Sequence, residues 1–188
     1  FIFIIPAFFF IFSVPSFFFV ERAFVMREHV IKQGSDAAAD LERGAWALAE
    51  GDYAEAEKNF NYAYLKLSKT QREFNAFGAG IMSLMSEIPF SNPIRSGDNM
   101  LEAALHLSLS GQAMVQLQKG FSSFSSANFF SKQDNSDKVI NLSATANTIL
   151  DVAAEMAQAR DALSRVSAVD IPASFLPKFN FLKDAMNK

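Results

Sequence analysis

The sequence predicts an all-α protein: an N-terminal transmembrane helix followed by an elongated, antiparallel four-helix bundle of long helices. Three observations predict it. The first 20 residues carry no charge at all. From residue 21 onward, apolar residues recur at alternating steps of three and four. No run of four to eight alternating β-branched residues interrupts that pattern.

The segment FIFIIPAFFFIFSVPSFFFV, residues 1–20, is apolar at sixteen positions, the exceptions being Pro6, Ser13, Pro15 and Ser16. It holds nine of the chain's 21 phenylalanines. Spanning the hydrocarbon takes about 20 apolar residues at ~1.5 Å each. Membrane helices tolerate prolines because neighbours and local adjustments re-satisfy the backbone. A secretory signal needs a basic stretch first and a small-residue cleavage site after, and neither is visible. A soluble interior has no use for a uniformly apolar helix without a polar face. Residues 1–20 are therefore expected to be a membrane anchor, with the lipid bilayer as partner. Arg22, Arg27 and Lys32 follow closely and by themselves favour a cytoplasmic C-terminal side; the rule compares both flanks, so orientation stays open.

The bundle is expected over 21–170, with helices at about 21–50, 53–88, 93–128 and 135–168. The clearest seam reads Tyr53, Ala56, Phe60, Ala63, Leu67, Thr70, Phe74, Phe77, Ile81, Leu84 and Ile88, apolar at ten of eleven positions. Asp52 is placed to cap it, with Glu55 completing a capping box, and Pro89 and Pro93 mark its end. The preceding helix steps through Phe24, Arg27, Ile31, Gly34, Ala38, Leu41, Ala45 and Leu48, a slim seam continuous with the anchor up to the turn at Gly51. The third helix, with Asn92 as cap and Pro93 in its first turn, steps through Met100, Ala104, Leu107, Gly111, Met114 and Phe121. The fourth reads Val139, Leu142, Ala146, Ile149, Ala153, Met156, Arg160 and Leu163. Pro172 and Pro177 then break the chain, so 171–188 reads as an exit with a short helix at 178–186, leading to a further domain.

Composition narrows the function classes. Half of the 188 residues are hydrophobic and a fifth charged, which excludes a disordered chain. The absence of cysteine excludes a disulfide framework or a cysteine-ligated zinc module. A net charge of −3 argues against nucleic acid as a partner. The two histidines, His29 and His106, have no carboxylate at ligand spacing, so no metal and no cofactor is expected. Gly78 and Gly80 in FGAGIM are not a phosphate loop, because no strand precedes them and no Lys-Ser/Thr pair follows. No catalytic residue is assigned. From Asp36 to Glu57 seven carboxylates face one base, Arg43, a run read as a solvated helix face. Between 99 and 131 only Glu102 and Lys119 are charged. That helix ends in GFSSFSSANFFS, where Phe121, Phe124, Phe129 and Phe130 form a candidate interaction surface; the competing reading is a central helix of the bundle.

Two stretches resemble known families. LAEGDYAEAEKNFNYA, residues 48–63, is similar to the turn and second helix of a tetratricopeptide repeat, though no second copy follows at the ~34-residue period. More widely, the apolar segment, the GDY-x-x-A-x-x-x-F-x-x-A helix and IPFSNPIRSGDNMLEAA resemble the N-terminal region of a bacterial membrane-protein family, domain of unknown function four-zero-one-two. The matching residues are Gly51, Asp52, Tyr53, Ala56, Phe60 and Ala63, then Pro89, Pro93, Gly97, Leu101 and Ala104. That resemblance implies a single-pass anchor with the bundle outside the cytoplasm, and transfers no functional residue. The TGGFIG-like core that follows in the family is not in this sequence. The function expected is a non-enzymatic, membrane-anchored helical stalk or interaction module of a bacterial cell-envelope protein, partnered by a downstream domain or another envelope protein. An extracytoplasmic four-helix ligand sensor is the alternative, and a repeat adaptor a third.

Overall fold

The structure, a computed structural model, describes the backbone of residues 4–84, 91–126, 135–171, 173 and 176–186, with side chains at Val25, over 28–76, 95–121 and 143–171, and at most of the last helix. Five α-helices and one short 3-10 turn make it up: α1 (Ile4–Glu50), α2 (Tyr53–Leu84), α3 (Ser91–Ser126), α4 (Asn135–Ser164), the 3-10 turn Ala168–Asp170, and α5 (Leu176–Met186). No strand occurs among the described residues.

α1 is one unbroken helix of 47 residues, about 70 Å by helical rise. Among the described residues no helix is long and apolar enough to cross a membrane. The anchor expected over 1–20 lies outside the residues whose side chains are described, as do Phe77, Ile81, Leu84, Ile88, Gly78 and Gly80.

α1 ends where a side chain would be strained. Gly51 adopts φ +82°, Gly51 N donates to Leu48 O at 3.2 Å and Asp52 N to Ala47 O at 2.9 Å. These bonds satisfy the last carbonyls of α1, as at many glycine-terminated helices. Asp52 Oδ1 then accepts from Glu55 N at 3.0 Å and caps α2. The expected capping box is half formed. Asp52 N is already spent on Ala47, and the Glu55 side chain turns outward to Lys58 (3.0 Å) and Asn59 (3.0 Å). Those two partners, Lys58 first, hold the Glu55 carboxyl below its ordinary value. The stabilisation this brings is present above the unfolded pKa and lost as pH falls through the lower folded one.

Neighbouring helices run antiparallel. Along α1 and α2 the partners are His29 with Glu73, Asp40 with Lys66, and Gly44 with Phe60, one number rising as the other falls. The same order links α2 to α3 (Phe74 with Gly97, Phe60 with Gly111, Glu57 with Lys119) and α3 to α4 (Asn99 with Arg165, His106 with Glu155).

The expected α2 seam is the buried one: Ala56, Phe60, Ala63, Leu67 and Thr70 are all buried, with Tyr53 and Phe74 half-buried at its ends. The alanine-rich seams differ. On α1 the buried positions are Ala37, Asp40, Gly44 and Ala47, whereas Ala38 and Ala45 face outward. On α4 they are Ala159, Ala162 and Leu163, whereas Ala146, Ile149, Ala153 and Arg160 are exposed. α3 differs again, burying Ser96, Asn99, Leu101, Ala103, Ser108, Ser110, Gly111 and Val115, while Met114 is exposed. Its neighbours explain this: α1, α2 and α4 all pack on it, so it has no single seam.

The helix ends shift as well. α4 stops at Ser164 rather than 168, and Asn92 lies inside α3 rather than capping it. Pro93 and Pro177 sit in the first turns of α3 and α5, where the missing N–H has no acceptor within the helix to lose.

Two packing units result. In the first, α1, α2 and α3 stack in layers, from Ala47, Ala56 and Val115 to Ala37, Ala63, Leu67 and Leu101. In the second, Ala103 of α3 meets Ala162, Leu163 and Val166, closed by Ile171 and Phe179. Among the described residues α4 packs on α3 and α5 and not appreciably on α1 or α2, so there the four long helices do not share one central core.

Phe60 occupies the tightest point. A Cβ added at Gly44 would stand 3.0 Å from Phe60 Cδ1; one added at Gly111 would stand 2.5 Å from the same atom. Both glycines face one edge of a ring that is only 5% exposed. Gly111→Ala is expected to lower stability by about 1–3 kcal/mol, because the ring cannot retreat from α3 without striking α1. Phe60→Leu in the same chain should restore part of the loss. Gly34→Ala, with nothing within 4 Å of the new methyl, should instead stabilise by about 0.5–1 kcal/mol. Thermal melts of the three variants check this.

Candidate interaction surface

Of the four phenylalanines expected to form a surface, the structure describes one side chain. Phe121, at the end of α3, is 48% exposed. Phe124 belongs to α3 but its side chain lies outside the described residues, as do Phe129 and Phe130 altogether. The surface of four therefore lies largely outside the described residues. The rest of α3 has the character of the competing reading: it is the helix on which the others pack.

The polar side chains are the more informative set. Two charges of α3, Lys119 and Glu102, each tie down a different neighbour. Lys119 Nζ donates to Glu57 Oε2 of α2 at 2.5 Å, and Gln116 Nε2 reaches the other oxygen at 2.9 Å. Glu102 accepts from Arg165 Nη2 beyond α4 at 2.7 Å. Arg165 also donates to Asn99 Oδ1 at 3.2 Å and to Asp161. Glu102 above all holds the guanidinium above its ordinary value. Beside it, Ser96 Oγ donates to Asp170 Oδ2 at 2.7 Å, fixing the exit from α4 against the start of α3.

Both histidines pair with a glutamate across a helix seam. His29 Nε2 of α1 lies 3.0 Å from Glu73 Oε2 of α2; His106 Nδ1 of α3 lies 2.6 Å from Glu155 Oε2 of α4. Spacing along the chain could not reveal these pairs, because each partner comes from a different helix. Neither site gathers more donors, and no group of three or more metal-capable residues occurs among the described residues.

The acidic run is not a uniformly solvated face. Asp40 is 2% exposed, accepting from Lys66 Nζ of α2 at 2.5 Å and from Arg43 one turn along α1. Burying a carboxylate requires such partners, since an unpaired one carries a large desolvation penalty. Asp40 falls between Ala37 and Gly44, on the buried face of α1 that meets α2. Two atoms are enclosed without a hydrogen-bond partner among the described residues, Asp98 Oδ1 and Ser110 Oγ.

No family model, curated protein or solved structure matches the chain.

Chemically, these clusters join helix to helix. Lys66, Lys119, Arg165 and both histidines each meet a carboxylate of a neighbouring element. Lys66→Met, which leaves Asp40 with Arg43 alone, is expected to lower stability by about 1–3 kcal/mol. Lys69→Met, removing a loose 3.9 Å pair on an exposed side chain, should stay within about 0.5 kcal/mol. Chemical denaturation of the two variants beside the parent chain separates these outcomes.

Proposed function

We propose that the chain is a membrane-anchored, non-enzymatic helical stalk or interaction module of a bacterial cell-envelope protein. The observation that carries this reading is the continuity of α1. A single helix from Ile4 to Glu50 joins the uncharged, apolar start of the chain to a helix that packs on α2 and α3. A segment of that composition is long enough to span hydrocarbon, and a continuous helix transmits position without a hinge. Together the four long helices form the elongated, antiparallel rod, which extends from the bilayer at the end where α1 enters.

The polar side chains support a structural role. Carboxylates, cations and both histidines are spent on joining helices. The resemblance to the four-zero-one-two family adds an extracytoplasmic rod in front of a further domain. Retention of the full chain in the membrane pellet after an alkaline carbonate wash is the expected result. Release into the supernatant would remove the anchor from the account. Protease protection in sealed vesicles then reads the side on which the rod stands.

A further inference from the structure

Histidine is the side chain whose charge ordinarily changes between about pH 5 and pH 8. The chain has two, and each meets a glutamate across a helix seam. Their surroundings differ. His29 and Glu73 are 40% and 38% exposed, Lys69 also approaches Glu73, and buried Ala37, Asp40, Ala63 and Leu67 hold the same seam. His106 and Glu155 are 18% and 25% exposed and 2.6 Å apart, and among the described residues no other cation bonds Glu155. The helix around Glu155 is shallowly held. From 143 to 158 no residue of α4 is fully buried; Thr145, Thr148, Val152, Glu155 and Met156 are half-buried. Full burial starts at Ala159 and continues through Ala162, Leu163 and Val166, where Ile171 and Phe179 close the core and Arg165 bonds Asn99 and Glu102. Glu155 therefore stands one turn before the point where α4 becomes firmly fixed.

We propose that the stretch of α4 before Ala159 is a pH-dependent arm, clasped to α3 when His106 carries a proton and loosened when it does not. With the proton, His106 Nδ1 donates to Glu155 Oε2 as a cation to a carboxylate. Without it, a neutral ring at most faces the carboxylate and the attraction between opposite charges is lost. Partial burial shields such a pair from salt and makes its charge count for more than at an open surface. The remaining charges nearby are placed elsewhere. On α3, Glu102 lies one turn before His106 and is bonded to Arg165; on α4, Asp151 lies one turn before Glu155 and is exposed. Asp40 of α1 and Lys66 of α2 are bonded to each other on a different seam, and Lys119 of α3 is bonded to Glu57 of α2. The sign follows from linkage: the contact that needs the proton is present at lower pH and lost as pH rises through the titration of His106. At lower pH still, protonation of Glu155 removes the other charge, so the clasp operates in a window between the two. The inference uses only α3 and α4 and does not depend on the membrane anchor.

Hydrogen exchange of the full chain in dodecylmaltoside micelles reads the arm directly, because it reports local opening. Protection is compared at about pH 5.5 and about pH 8, on either side of the usual imidazole range, after correction for the intrinsic pH dependence of amide exchange. Amides over 145–156 are expected to be about fivefold better protected at the lower pH, while those around Phe60 and Ala162 keep the same protection at both. Glu155→Gln retains an acceptor without the charge, and His106→Gln retains a donor that does not titrate. The pH difference should vanish in each variant whose circular dichroism matches the parent's, and should persist in His29→Gln. Equal protection of 145–156 at the two pH values in the parent chain overturns the proposal, a result that requires no variant to fold. So does a difference spread evenly over all the helices, one that survives in folded His106→Gln, or one that disappears in His29→Gln.

Discussion

Three helices meet at the edge of one aromatic ring. Phe60 projects from α2 into a gap that exists only because α1 has Gly44 and α3 has Gly111 at that level. Interiors pack at crystal-like density, so a ring enclosed on two sides by backbone fixes how deeply the helices approach one another. Above it lie Ala47, Ala56 and Val115; below it lie Ala37, Ala63, Leu67 and Leu101. Alanines fit these layers because the close approach at the ring leaves little room for anything larger. Phe74 repeats the device near the other end of α2, where a Cβ on Gly97 would stand 3.2 Å from the ring.

Charge supplies what shape does not. Small residues pack closely in more than one register, since sliding an alanine seam costs little. Asp40 with Lys66 selects one register, because a slip would leave a buried carboxylate without its cation; Glu57 with Lys119 and Glu102 with Arg165, each more than a third exposed, add smaller preferences of the same sense. Asp40 is the most demanding of these, being almost fully buried. The three pairs lie on three different seams, so each junction between sequential long helices carries its own ionic contact.

What the sequence disclosed follows from residue size. The α2 seam was legible because Phe60, Leu67 and Phe74 are large, and large apolar residues at three-and-four spacing have one place to go. α1 was read one position off, and of the described residues of the expected α4 seam only Leu163 is fully buried, because alanine serves equally inside and outside a helix bundle. Stepping through Ala38 and Ala45, or Ala146 and Ala153, passes the apolar test on the wrong face. α3 resisted for another reason: surrounded by neighbours, it buries serines as well as Leu101 and Val115, with Ser108 Oγ satisfied by the carbonyl of Ala104 at 2.8 Å. The histidine pairs and the buried Asp40 lay beyond any local pattern, since each depends on which residue a second helix places opposite.

The central claim is that α1, α2 and α3 form one cooperative unit locked at Phe60. Native-state hydrogen exchange tests it most directly, because it reads opening free energy segment by segment. The account predicts that amides around Gly44, Phe60 and Gly111 exchange through the same slow opening, with a common dependence on denaturant. Fast, independent exchange of α1 near Gly44, while α2 and α3 stay protected, would contradict it.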